Sequence, residues 1–278
     1  MKKSTITLQN NTLKLNFGNI KPRKYAISVK YFDGESVSPI KRIDYETEII
    51  VTSNNKIWLL DIHKDSVWFD QHEPDLINEM IADELRKTVY PVQVRIDEAG
   101  TFLGINNFNQ IAKSRWHRNK IRATEKYTTK IMQSFYDAFE RNLENRNVKK
   151  KSMQYDWFWN LFFHPKYIDY GNESSVQTNL HLAVVPYEYP IQFTGKQKIN
   201  TEITDYHSVE IHFKSDETEA HPYFIPKNNK NTVHLENKVY MRLNVYFDLD
   251  VYYLFPMHTR AYFEVYSKDA EGKETPIK

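Results

Sequence analysis

His63 stands between Asp61 and Asp65, and on an extended strand these three side chains would share one face. Imidazole and carboxylate are metal ligands, and Asp70 with His72 repeats a shorter version of the pattern. The motif lacks the fixed helical spacing of two histidines with an intervening glutamate, so a solvated strand end is expected here and no metal is assigned. His207 and His212 give no stronger case. Val209, Ile211 and Phe213 form an apolar row, which leaves His212 on the wet face beside Glu210 and Lys214.

Other chemistries find less support. The chain has no cysteine, which removes thiolate nucleophiles, disulfides and cysteine-held metals together. No Gly-x-Ser-x-Gly elbow occurs, and 7 scattered glycines supply no phosphate-cradling loop. Carboxylates are plentiful, but a general acid/base pair depends on a separation that sequence does not give. No catalytic residue and no cofactor is therefore assigned. A hydrolase with an acidic or histidine site stays as an alternative, to be revived by a cleft containing Asp61 or His63.

Arg115, Arg118 and Arg122 are spaced to form a basic ridge along one side of a helix, with Trp116 and Tyr127 near enough in sequence to add stacking. Glu125, Asp137, Glu140 and Glu144 soon balance the ridge, and the formal net charge is only +2, which argues against nucleic acid. The sharper anomaly is Tyr155 to Tyr170. Trp157, Phe158, Trp159, Leu161, Phe162 and Phe163 cover all sides of any helix. Such a segment is either a buried plug closing a sheet or a surface for a partner or an apolar ligand. As a partner or ligand surface it comprises Trp157, Phe158, Trp159, Phe162 and Phe163, extended by Trp116 and Tyr127.

The elements that must position these residues fall into three zones. From Ile6 to Phe69, Tyr25 to Tyr31, Ile43 to Val51 and Ile57 to Ile62 read as strands, with turn signals at Asp33-Gly34 and Ser53-Asn54-Asn55. From Pro74 to Tyr170 the pattern is mostly helical. Pro74 opens a first helix with Leu76, Met80, Ile81 and Leu85 inward. A hairpin follows, with Tyr90, Val92, Val94 and Ile96 at period two and Gly100 in the turn. Beyond an N-cap at Asn106 or Asn107, a long helix is expected from Phe108 to Leu143. Asn145 to Ser152 is the best hinge.

From Leu180 onward strands return, and the apolar row from Val239 to Phe255 predicts one long strand that Pro256 ends. The expected fold is α+β: a single domain over 1–278, in which N- and C-terminal strand zones join in one curved antiparallel sheet packed on the long central helix. Two small sheets flanking a helical middle are the other arrangement. Thr5 to Phe17 alternates where an export signal needs an apolar run, and no stretch reaches about 18 apolar residues. A cytoplasmic protein without membrane insertion is expected.

Tyr90 to Val94, Gly100, Gly104 to Phe108 and Ile111 to Trp116 together resemble a loose group of bacterial proteins in which a short hairpin leads into a long helix. Some of these accompany the spike and effector genes of contractile secretion systems of the type VI kind. The resemblance covers about a fifth of the chain. It implies a cytoplasmic accessory, adaptor, chaperone or immunity role carried out by surface contact, and transfers no catalytic residue. The expected function is a non-catalytic protein-interaction module, with carriage of a small apolar ligand between sheet and helix as an alternative.

Overall fold

The computed structural model describes residues 4–16, 18–34, 36–54, 57–126, 130–144, 153–185, 188–225 and 238–277. Strands β1 (Arg23–Tyr31), β2 (Lys41–Asn54) and β3 (Ile57–Phe69) form the expected antiparallel meander. Gly34 takes a φ of 54° after β1, where only glycine goes without strain. Asn55, in the second turn signal, lies outside the described residues. After helix α1 (Ile77–Val89) the chain rejoins the same sheet as β4 (Val92–Ile96) and β5 (Phe102–Ile105), giving the order β1-β2-β3-β4-β5. Val92, Val94 and Ile96 are buried as period two requires, and Gly100 makes the turn at φ 80°. Helix α1 starts later than its proline suggested: Leu76 is its N-cap and stands 58% exposed, while Ile81 is fully buried.

The third zone builds a second sheet from β6 (Ser175–Leu182), β7 (Ile191–Ile199), β8 (Ser208–Ser215), β9 (Thr218–Glu219), β10 (Lys238–Asp250), β11 (Pro256–Lys268) and β12 (Glu274–Pro276). Its order is β12-β11-β10-β8-β7-β6, with β9 also on β10. This corrects the expectation of one curved sheet. None of β1 to β5 pairs with any of β6 to β12. The two sheets meet through side chains, with Ile49, Leu60, Ile62 and Val94 sharing one core with Phe193, Phe213, Leu243 and Phe247. The segment before β1 reaches the second half of the chain by backbone bonds, the Ile6 amide donating to the Thr201 carbonyl and the Ile203 amide to the Ser4 carbonyl, both at 2.9 Å.

Val239, Met241, Leu243, Val245, Phe247 and Leu249 all point inward from β10, as their alternation predicts. The strand nevertheless stops at Asp250. Its carboxylate Oδ1 accepts from the Tyr252 and Tyr253 amides at 3.0 and 2.8 Å, an Asx turn that reverses the chain. Pro256 consequently begins β11 rather than ending β10, since the first residue of a strand tolerates a missing N–H.

The single long helix is also corrected. A π-helical turn (Gln110–Arg115) runs into α2 (Trp116–Lys126), and α3 (Lys130–Glu144) follows. One straight helix would hold residues 116 and 140 about 36 Å apart. Instead Trp116 Nε1 donates to Glu140 Oε1 at 3.1 Å, and Lys120 pairs with the same carboxylate at 2.7 Å. The helices therefore fold back as a hairpin. With α1 they enclose a small core of Ile81, Trp116, Ala123, Met132 and Tyr136, so this region is not what the sheets wrap.

The element between the sheets is the short aromatic helix α4 (Trp157–Phe162). Asp156 caps it, accepting from the Phe158 amide at 2.9 Å, and also accepts from Tyr45 in β2 and Lys64 in β3. The hinge expected at Asn145 to Ser152 lies outside the described residues.

Candidate functional site

A cleft of about 320 Å³ opens where β3 and β4 meet the π-helical turn. Its lining is Asp61 and His63 from β3, Pro91 and Gln93 beside and on β4, Asn107, and Gln110 with Arg115 from the π-helical turn. The walls are held by a chain of amides. Gln93 Nε2 donates to Asp61 Oδ1 at 2.8 Å, and Asn106 Nδ2 donates to Gln93 Oε1. Asn107 Oδ1 accepts from the Gln93 amide at 3.0 Å, and its Nδ2 donates to the Pro91 carbonyl at 3.2 Å. Asn107 thus ties the helix start to β4 instead of capping it with its side chain.

Arg115 is the cation of the cleft. Nη1 donates to the carbonyls of Pro91 and Val89, and Nη2 donates to Gln110 Oε1 at 3.3 Å. All three acceptors are neutral, and no carboxylate lies within ion-pair distance of Arg115 among the described residues. Partial burial and the positive Arg118 nearby push its pKa down, so an arriving anion would be stabilised. Asp61 similarly has an amide donor and no cation among the described residues.

This arrangement brings together residues that the sequence placed in separate motifs. Asp61 and His63 both line the cleft and Asp65 does not; it lies at a bulge, where β3 spends one residue more between Val67 and Lys64 than β2 does between Tyr45 and Thr47. Asp65 is exposed there, as is Asp70. No group of three or more His, Cys, Asp or Glu side chains able to hold a metal ion occurs among the described residues. Asp61 and His63, the residues whose presence in a cleft would revive a hydrolase reading, both line this one, and none of its lining side chains is a hydroxyl or a thiol. Of the basic ridge, Arg115 enters the cleft while Arg118 and Arg122 remain exposed on α2.

The aromatic surface is mostly interior. Trp159 and Phe163 are buried and stacked at 5.0 Å between ring centres, and Phe102 of β5 meets both edge-on or tilted. Phe162 packs against Tyr25 of β1 and Phe255, and Trp157 donates to the Ala183 carbonyl at 2.7 Å. Phe158 stacks on Phe162. Trp116 is buried in the small helical core, and Tyr127 lies outside the described residues. Of the set, Trp159 and Phe163 are buried, Trp157, Phe158 and Phe162 are half-buried, and Trp116 belongs to a separate core, so the described members do not form one exposed surface.

Two features escaped the sequence. One is a buried polar network behind the plug. Lys166, only 1% exposed, donates to the carbonyls of Leu161, Phe162 and His164 at 3.1, 2.8 and 2.8 Å, satisfying the open end of α4. His164 lies flat on Phe247 and bonds Gln197 Oε1 at 2.6 Å; Gln197 Nε2 in turn donates to Tyr170 Oη at 2.9 Å. Polar residues directly after an aromatic helix were the available signal. The other is the outer face of the second sheet. There His212 of β8 stacks on Tyr246 of β10 at 4.2 Å, Arg260 of β11 lies over Tyr246, and Tyr262 stands 53% exposed beside them.

No helix among the described residues is long and apolar enough to cross a membrane. No family model, curated protein or solved structure matches the chain.

Proposed function

We propose that the chain is a non-catalytic protein-binding module whose contact surface is the outer face of the seven-stranded sheet. One observation carries this reading: His212, Tyr246 and Tyr262 form a ring cluster across three neighbouring strands, with Arg260 laid on Tyr246 at 5.2 Å. Tyrosine and arginine are enriched at the energetic centres of protein interfaces: tyrosine joins a large rigid ring to a polar end, and arginine brings a planar, multidentate cation that stacks on rings. Acids and bases alternate around the cluster, with Asp248 near both His258 and Arg260, so the face suits a protein of mixed charge better than a polyanion.

The resemblance of the Tyr90 to Trp116 unit to proteins encoded beside contractile secretion systems fits such a contact role, that of a cytoplasmic adaptor or accessory protein. Helix α4 packs with residues of both sheets in one core, which favours contact at the surface over carriage of a small apolar ligand.

A photo-crosslinking amino acid placed at position 262 in the full chain tests the reading in lysate of the source cells. A discrete adduct is expected, and it should vanish in a Tyr246→Ser/Arg260→Glu double variant that retains its fold. An adduct that survives the double variant, or one equally strong from the exposed position 37 beyond β1 of the other sheet, rules this surface out.

A further inference from the structure

Beyond protein contact, the cleft between β3, β4 and the π-helical turn carries a binding assignment of its own. Its two charged groups are opposite in sign, lie in one recess, and are paired neither with each other nor with any third group among the described residues. Opposite charges sharing a recess normally close into an ion pair, because the attraction grows as water is excluded. Here each is held by neutral neighbours instead. Gln93 fixes Asp61, and two backbone carbonyls with Gln110 fix Arg115.

The donor inventory points the same way. Guanidinium has five N–H groups, and Arg115 makes three bonds, two from Nη1 and one from Nη2. Nε makes none among the described residues, so donor capacity remains for a carboxylate. Asp61 keeps most of its acceptor capacity, and His63 beside it makes no hydrogen bond among the described residues. We infer that this cleft binds a small zwitterion, a free α-amino acid, with its carboxylate on Arg115 and its ammonium on Asp61, joined by His63.

Asp61 is held by the Gln93 side chain and Arg115 by the carbonyl of Pro91, two residues earlier, so the two charges sit on neighbouring anchors of one recess. A volume of about 320 Å³ is at the small end for ligand pockets and accommodates an amino acid.

Calorimetry on the full chain with the free amino acids, and with acetate and ethylamine as half-ligands, tests the assignment. At least one amino acid should bind with a Kd below about 1 mM, and either half-ligand should bind at least about tenfold more weakly. Asp61→Asn should weaken the amino acid about tenfold or more while leaving acetate unchanged, and Arg115→Gln should abolish both. Because Arg115 also ties two carbonyls, its variant could lose structure; Asp61→Asn removes one charge from a half-buried position and keeps the question decidable. Acetate binding as tightly as every amino acid would make this a plain anion site and overturn the inference. Silence from all probes at about 10 mM would overturn it too.

Discussion

Arg23 and Asp250 join the two sheets: the guanidinium of the first residue of β1 meets the carboxylate that ends β10 at 2.5 Å, and neither side chain is more than 23% exposed. Arg23 also donates to the Phe255 and Pro256 carbonyls, so it holds the whole turn that Asp250 organises. Asp250→Asn keeps the acceptor for the Tyr252 and Tyr253 amides and loses the charge and the Oδ2 acceptor that face Arg23, whereas Asp250→Ala loses the turn bonds as well. Urea unfolding should show a loss of about 1–3 kcal/mol for the first and a clearly larger loss for the second. Equal losses would mean that the turn bonds contribute nothing.

Acid should weaken the protein through His164. Burial and the nearby Lys166 charge lower its pKa from 6.5 to about 3. The unfolded chain then binds a proton that the folded chain refuses between those values, so stability is complete above about pH 6.5 and falls as pH drops toward 3, by up to about 1.4 kcal/mol per unit. Lys166, pushed by burial to about 7, has the same sign in a higher window, adding stability as pH rises from about 7 to 10.5. Unfolding free energies measured at pH 7, 5 and 4 should fall less steeply in His164→Asn.

Gly195 in β7 has no room for a side chain. A Cβ there would lie 2.3 Å from the Lys214 carbonyl oxygen and 2.5 Å from Ser215 Cα, both backbone atoms of the paired strand β8. Strand backbone cannot move aside as a side-chain tip can. Gly195→Ala should cost about 2–3 kcal/mol and perturb amide signals along β7 and β8, whereas most surface alanines would be close to neutral.

Trp116→Ala should loosen the helical hairpin and spare the sheets. The tryptophan packs on Tyr136 and Phe139 and donates to Glu140, all within the smaller core. Hydrogen exchange in α2 and α3 should accelerate by an amount corresponding to about 3 kcal/mol, with protection of β7, β8 and β10 retained. Uniform acceleration across all three would mean one cooperative unit.

Local periodicity was legible wherever one face of an element is buried. Val239 to Leu249 announced their inward row, and Asp97 to Thr101 their turn, because these patterns depend only on neighbours in sequence. Which strands would pair at the sheet edges was not, since alternation is the same for any partner. The helical reversal was hidden for a related reason: Lys120 and Glu140 are complementary only once the chain has turned back. The cleft was half legible. Asp61, His63 and Arg115 could be singled out by type, but Gln93 and Asn107, the neutral amides that place them, look like any other polar residues in the chain.

The aromatic helix between the sheets bears on how the chain acquires its structure. Residues 25 and 102 on one side and 183 and 255 on the other all touch α4, so its contacts close loops of tens of residues in both directions. Such contacts come late, after the hairpins on either side have formed. Until then each sheet carries an uncovered apolar face. A chain cut between Glu144 and Met153 should yield two fragments that stay soluble poorly apart and recover native structure only when mixed.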